Sequence, residues 1–89
     1  MLLSSPKEQD PGIQFEATEE GLRILSVAPE SPAAKIGLEP GDVILSVYGH
    51  PVTSRATWEW LTASKNDYTE LRVRDVRRGV VLTRYVNLG

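Results

Sequence analysis

The side chains able to do covalent chemistry are few in this 89-residue chain, and their spacing does not suit them to it. There is no cysteine and one histidine, His50, set between Gly49 and Pro51 where a turn is expected. A single histidine makes a transition-metal site only if carboxylates supply the remaining ligands. Ser46 and Ser54 have no evident base to activate them. No Gly-x-Ser-x-Gly elbow, phosphate-binding loop or His-Glu-x-x-His run occurs. The expectation is a chain with no catalytic residue, no metal ligand and no cofactor, and with His50 on a surface turn. What remains is recognition by backbone amides, apolar side chains and charge.

Length and charge narrow this further. Eighty-nine residues make one small domain, which buries only about 60–65% of the surface its unfolded chain exposes. Its stability should be modest, about 5 kcal/mol. A composition of 40% hydrophobic and 25% charged residues suits a soluble globular domain. Met1-Leu2-Leu3 is too short for a signal-peptide core, and no apolar run reaches membrane length. Residues 1–50 carry eight acids and three bases, residues 51–89 four acids and seven bases. Arg72, Arg74, Arg77, Arg78 and Arg84 gather in the last third. An anionic partner is one reading of them; a solvated strand face and hairpin tip is the other, and the one favoured. Nucleic-acid binding normally needs a strongly basic domain, and this chain has a pI of about 5.3.

The elements follow from periodicity and punctuation. Residues 1–11, with two prolines and no periodicity, read as a linker or N-terminal tail. Strands are expected at Ile13–Thr18 and Leu22–Ala28, separated by Glu19-Glu20-Gly21. Ser31 can cap a single helical turn that starts on Pro32 and stops at Gly37. Leu38-Glu39-Pro40-Gly41 is a turn before a strand from Asp42 to Tyr48. In that strand, Ile44 and Val47 are core candidates three residues apart, which suggests a bulge or a curved strand. Thr53 or Ser54 caps a longer helix running to about Ser64. Leu71–Val76 and Val80–Leu88 form a hairpin around Arg77-Arg78-Gly79. The fold class is mainly β with two helices (α+β), with five to six short strands and one short and one long helix.

The run Ser31-Pro32-Ala33-Ala34-Lys35-Ile36-Gly37-Leu38-Glu39-Pro40-Gly41-Asp42-Val43-Ile44-Leu45-Ser46-Val47 resembles the central signature of PDZ domains. The likeness is to the bacterial type attached to envelope proteases: high-temperature-requirement serine proteases, site-2 metalloproteases and C-terminal processing peptidases. It extends over residues 12–89. It implies a partly open β-barrel or sandwich, in a permuted form whose last strand, Val80–Leu88, takes the place of an N-terminal one. Within the signature, Gly37 and Gly41 permit backbone geometry that a side chain would strain. Asp42 accepts backbone hydrogen bonds in a tight turn.

The same resemblance implies a site. PDZ domains usually take a free C-terminus as an added strand on a sheet edge and hold its carboxylate on loop amides. Gly12-Ile13-Gln14-Phe15 fits that loop, with Gln14 where many members have a second glycine. The amides of Ile13, Gln14 and Phe15 would hold the carboxylate, and Ile13 and Phe15 would line the pocket for the last side chain. Phe15, Glu16, Ala17 and Thr18 would form the docking edge. Glu16, Glu19 and Glu20 would blunt that edge and favour basic ligand residues. Lys7 either supports the carboxylate or is a solvated lysine in the tail. From the second helix, Ser54, Trp58 and Leu61 would face an open furrow, with Thr57 and Trp60 turned to the core. A two-residue slip exchanges the tryptophans, and both as core residues is the plainer alternative. In this register Leu61→Asp abolishes binding more than it unfolds the domain. Ser54 stands where many PDZ domains carry a histidine that selects Ser or Thr near the ligand's end.

The expected function is therefore a non-catalytic module that captures C-terminal or unfolded peptide segments for a larger protein such as a protease. It would use no nucleic acid and no membrane insertion, and would be monomeric when isolated. A periplasmic or extracytoplasmic location is favoured if the parent is an envelope protease. The rival is a structural or assembly module packed on its parent chain or on a copy of itself.

Overall fold

The structure, a computed structural model, describes residues 12–63 and 68–86. Six strands and two helices follow one another as β1 (Ile13–Ala17), β2 (Leu22–Val27), α1 (Pro32–Lys35), β3 (Val43–Val47), β4 (His50–Pro51), α2 (Arg55–Leu61), β5 (Thr69–Arg74) and β6 (Val81–Val86). All strand pairs are antiparallel. The sheet runs β1-β2-β3-β5-β6, with the short β4 paired to β3 alone. The fold is mainly β with two helices, as the residue pattern predicts. The sheet is open, with β1 and β6 at its two edges.

Local chemistry sets the boundaries. Thr18, expected to end β1, is used by the turn instead. Its hydroxyl accepts from the amides of Glu20 and Gly21, and its own amide donates to the Gly21 carbonyl. That side chain-to-backbone bonding competes with the strand ladder. At α1 the Ser31 hydroxyl accepts from the Ala34 amide at 3.2 Å, with Pro32 in the first turn. The same helix ends on Gly37 at φ +87°. There the Gly37 and Leu38 amides donate back to the Ala34 and Ala33 carbonyls, a Schellman ending that favours glycine. The β3–β5 register shifts between Ile44 and Ser46, which is the irregularity that the Ile44–Val47 spacing predicts. Both residues are fully buried.

Asp42 ties two turns together from a buried position. One carboxylate oxygen accepts from the Glu39 amide at 3.1 Å, the other from the Val76 amide at 2.9 Å. The second bond explains why β5 stops at Arg74 rather than Val76: the Val76 N–H is directed to Asp42, not to β6. Hydrogen bonds to a charged acceptor contribute about 1.5–3 kcal/mol. Asp42→Ala is expected to lower the melting temperature by roughly 10 °C or more. An unchanged melting temperature contradicts this role.

The arginine-rich hairpin is tied to the body of the domain. Arg74 pairs with Glu20, and the Arg77 Nε lies 2.7 Å from a Glu39 carboxylate oxygen. In the turn itself, Asp75 Oδ1 accepts from the Arg77 and Arg78 amides at 2.7 and 3.2 Å. The Arg77 amide bond is the largest influence holding this carboxyl below its ordinary value of 3.8; the Arg78 amide and the charges of Arg78 and Arg84 add to it against a desolvation effect. A carboxyl lowered in the folded state stabilises the turn fully above the unfolded value, and that contribution is lost as pH falls through the folded value. Protection of the hairpin amides from hydrogen exchange should therefore weaken below pH 3.8, and Asp75→Asn should flatten that dependence. Equal pH profiles for the two proteins contradict it.

The core lies between the sheet's inner face and the two helices. Leu22, Ile24, Ala33, Ile44, Val47, Val52, Leu71, Val73 and Val86 are its most enclosed apolar members. Ile13, Phe15, Trp58 and Leu61 close it on the β1 side, and these four belong to the candidate site.

Candidate functional site

β1 has β2 on one side and no strand on the other among the described residues. Its side chains alternate as the pleat requires. Ile13 and Phe15 are buried and Gln14 between them is exposed; Ala17, on the same side as Ile13 and Phe15, is exposed at the end of the strand. Between Gln14 and Phe15 the β1–β2 register shifts, because β2 carries an extra residue, Leu25, between the partners Ser26 and Ile24. A bulge of this kind re-aims the adjoining strand.

Gly12 starts β1 at φ +86°, and a Cβ there would lie 2.3 Å from the Ser31 Cβ. Its carbonyl accepts from the Ala28 amide at 2.7 Å. This position requires glycine for backbone geometry and for space alike. The loop that begins β1 is therefore seated against the cap of α1. Beside it is a shallow depression of about 270 Å³, lined by Gly12, Ile13, Gln14, Ser26, Val27 and Ala28.

α2 faces β1 through a short aromatic contact. The Phe15 and Trp58 rings meet edge-on, with centroids 5.4 Å apart and planes at 69°. The Arg55 guanidinium carbon lies 4.6 Å from the Phe15 ring centroid. Ser54 caps the helix: its hydroxyl accepts from the Thr57 amide at 3.1 Å and donates to the Thr57 hydroxyl. Thr62 ends it, donating its amide and hydroxyl to the Trp58 carbonyl. The helix is thus shorter than the expected run to Ser64, and residues 64–67 lie outside the described ones.

Several expectations need correction here. Trp60 does not face the core: it is 75% exposed. Trp58 and Leu61 are on the β1 side of α2 but do not line an open furrow. They are 6% and 7% exposed and belong to the core cluster. The reason is packing: two large apolar side chains three residues apart share a helix face, and that face is buried in the core cluster, where the Trp58 ring meets Phe15. Leu61→Asp accordingly acts first on folding. Glu16 pairs with Arg23 across the strand pair and Glu20 with Arg74, both pairs in solvent, and Glu19 is exposed. Ser54 is occupied by its cap. Arg55 was not predicted, although it precedes Trp58 by three residues and so shares its face. Lys7 and the whole tail 1–11 lie outside the described residues.

His50 is exposed on β4, and no hydrogen bond joins it to Ser46 or Ser54 among the described residues. No cluster of three His, Cys, Asp or Glu side chains fit to hold a metal is found among them either. No described helix is long and apolar enough to cross a membrane.

Known proteins similar to this chain bear out its fold. Curated relatives include a probable periplasmic serine endoprotease DegP-like of Pseudomonas fulva, 36% identical over 69 residues, which are 78% of this chain and 14% of that protein. The chain spans only 10% to 22% of the length of the curated relatives it matches. Among solved structures, the HtrA3 PDZ domain bound to a phage-derived ligand superimposes with a TM-score of 0.68 at 20% identity, covering 88% of this chain and 80% of that one. The HtrA-type protease AlgW with a decapeptide gives a TM-score of 0.72 at 20% identity, covering 89% of this chain and 28% of that one. The family described as PDZ domain matches residues 10–88. Matched by that family over most of its length, and built of six antiparallel strands and two helices, the chain belongs to the PDZ domain family.

Proposed function

We propose that residues 12–89 are a non-catalytic peptide-binding module that takes the C-terminal end of an extended peptide as a strand on the free edge of β1. The carboxylate would sit on the amides of Ile13, Gln14 and Phe15. The last side chain would enter between Ile13, Phe15 and α2, displacing the edge of Trp58. The observation that carries this reading is the edge position of β1 beside a helix that touches it through Trp58. The peptides bound to the HtrA3 PDZ domain and to AlgW support it. By the same likeness the module serves a larger serine protease, recruiting or sensing its substrates, and the Pseudomonas relative's name favours the periplasm.

Weak binding is expected. Burial of one apolar side chain contributes about 1.5–3 kcal/mol, and charge-assisted bonds to the carboxylate about 1.5–3 kcal/mol. Edge-strand hydrogen bonds add to these, and ordering the peptide subtracts. Micromolar affinity needs about 8 kcal/mol, so the domain should bind at micromolar concentrations or above.

A second reading has an observation of its own. Trp58 packed on Phe15 closes the inner end of the furrow, which suits an assembly module with no free C-terminal ligand. Titration with a small library of C-terminal peptides, followed by amide shifts, separates the two. Shifts gathered on Ile13–Thr18 and Trp58–Leu61 support capture. No response at saturating peptide supports assembly.

A further inference from the structure

We propose that β6 is a self-pairing edge: two copies of this chain join antiparallel along it, centred on Thr83, and continue the sheet across a twofold axis. The inference does not depend on peptide capture, because β6 lies at the opposite edge of the sheet from β1.

The edge has none of the features that keep sheet edges apart. Among the described residues β6 has β5 on one side and no strand on the other. Its six residues pair with β5 without a register shift, so no bulge turns the edge away. It contains no proline and no lysine, residues that commonly blunt such an edge. Its one charged residue, Arg84, is the partner of the buried Leu71 and so belongs to the sheet's inner face. On the outer face, Val81 and Tyr85 are 43% and 57% exposed, with exposed Thr83 between them.

Hydrogen bonding and charge then fix the register. The Asp75 amide donates to the Val80 carbonyl at 2.8 Å, one step beyond the Arg74–Val81 pair. In an antiparallel ladder, hydrogen-bonded and non-hydrogen-bonded pairs alternate. The amides and carbonyls of Leu82, Arg84 and Val86 therefore point to β5, and those of Val81, Thr83 and Tyr85 point outward. A twofold axis normal to the sheet at Thr83 sets Thr83 against the partner's Thr83 and Val81 against the partner's Tyr85. Every outward amide and carbonyl of the strand is then paired, and an apolar contact forms on each side of the axis. An axis at Arg84 would set two guanidinium groups opposite each other, which destabilises a strand pair. An axis at Leu82 would leave Tyr85 beyond the end of the partner strand. With the axis at Thr83, the two copies of Arg72 lie three strand spacings apart, about 14 Å, outside the screening length of about 8 Å at physiological salt. The dimer leaves both β1 edges open. Interfaces under about 1,200 Å² are transient, so reversible association on the order of 0.1–1 mM is expected.

The test is sedimentation equilibrium of the wild-type chain and Thr83→Lys at concentrations up to about 1 mM, with circular dichroism melts to check that each variant folds. Wild type should dimerise reversibly. Thr83→Lys sets two ammonium groups against each other at the axis and should weaken the dimer at least about tenfold. The chain has no cysteine, so single-cysteine variants report the register. Thr83→Cys puts the two thiols on Cα positions about 5.5 Å apart, a span that a disulfide bridges. Tyr85→Cys leaves them about 13 Å apart along the strands, too far for one. With oxidised glutathione as oxidant, Thr83→Cys should therefore give the covalent dimer and Tyr85→Cys should not. A wild type that stays monomeric throughout, a dimer indifferent to Thr83→Lys, or equal cross-linking of the two cysteine variants overturns the proposal. If Thr83→Lys fails to fold, the wild-type association and the cysteine pair decide. Peptide binding at β1 is read by separate titrations, so its failure would leave this result standing.

Discussion

Leu61→Asp is expected to unfold the domain outright. Leu61 is 7% exposed within the core cluster that joins α2 to β1. Removing a buried leucine's packing alone costs about 2–5 kcal/mol. An ionised carboxylate in its place adds a desolvation penalty of several kcal/mol with no partner to offset it. A domain of this size has only about 5–15 kcal/mol in total, and the smallest domains lie at the low end. Leu61→Met, which nearly conserves volume, should cost under about 1.5 kcal/mol and keep the fold. Far-ultraviolet circular dichroism melts of both variants settle the matter. A folded Leu61→Asp with a near-normal melting temperature would place Leu61 in an open groove after all.

The second large effect concerns the ligand. A bound peptide with a free C-terminus should lose at least tenfold in affinity when that terminus is amidated, a change of about 1.4 kcal/mol. Amidation removes the negative charge and one acceptor oxygen, and brings an N–H group to face amide donors. Charge-assisted bonds to backbone amides are worth roughly twice neutral ones, so the loss concentrates at the Ile13–Phe15 loop. Paired titrations of acid and amide forms check it. Equal affinities would mean recognition of internal sequence along the edge, without carboxylate capture.

How much of this was legible before the coordinates depends on the range of the interactions concerned. The cap at Ser31, the stop at Gly37 and the Glu39–Asp42 turn bond are local, set by residue type within a few positions, whereas the Asp42 bond to Val76 spans 34 residues. The structural outcome of the local features follows the residue pattern closely. The direction of α2 was harder to read. A seven-residue helix makes only two turns, so its apolar residues repeat too few times to choose between Trp58 and Trp60 as the inward side chain. Trp58 and Leu61 decide the face because both are buried in the core cluster, with the Trp58 ring on Phe15. The pairing of the acidic edge is hidden from the sequence for a different reason. The partner of Glu20 is Arg74, 54 residues away, and no local pattern announces such a pairing. Arg55 sits three residues before a tryptophan, a legible spacing, but its place over Phe15 depends on how β1 meets α2.

The central claim is geometric: an added peptide strand antiparallel to β1, its carboxylate end at Ile13. Isotope-filtered proton contacts between a labelled domain and an unlabelled bound peptide test it most directly. The account predicts cross-strand contacts that run from the peptide's last residue at Ile13–Gln14 to upstream residues at Glu16–Ala17. Contacts confined to another surface, or a peptide running in the opposite direction along β1, would contradict it.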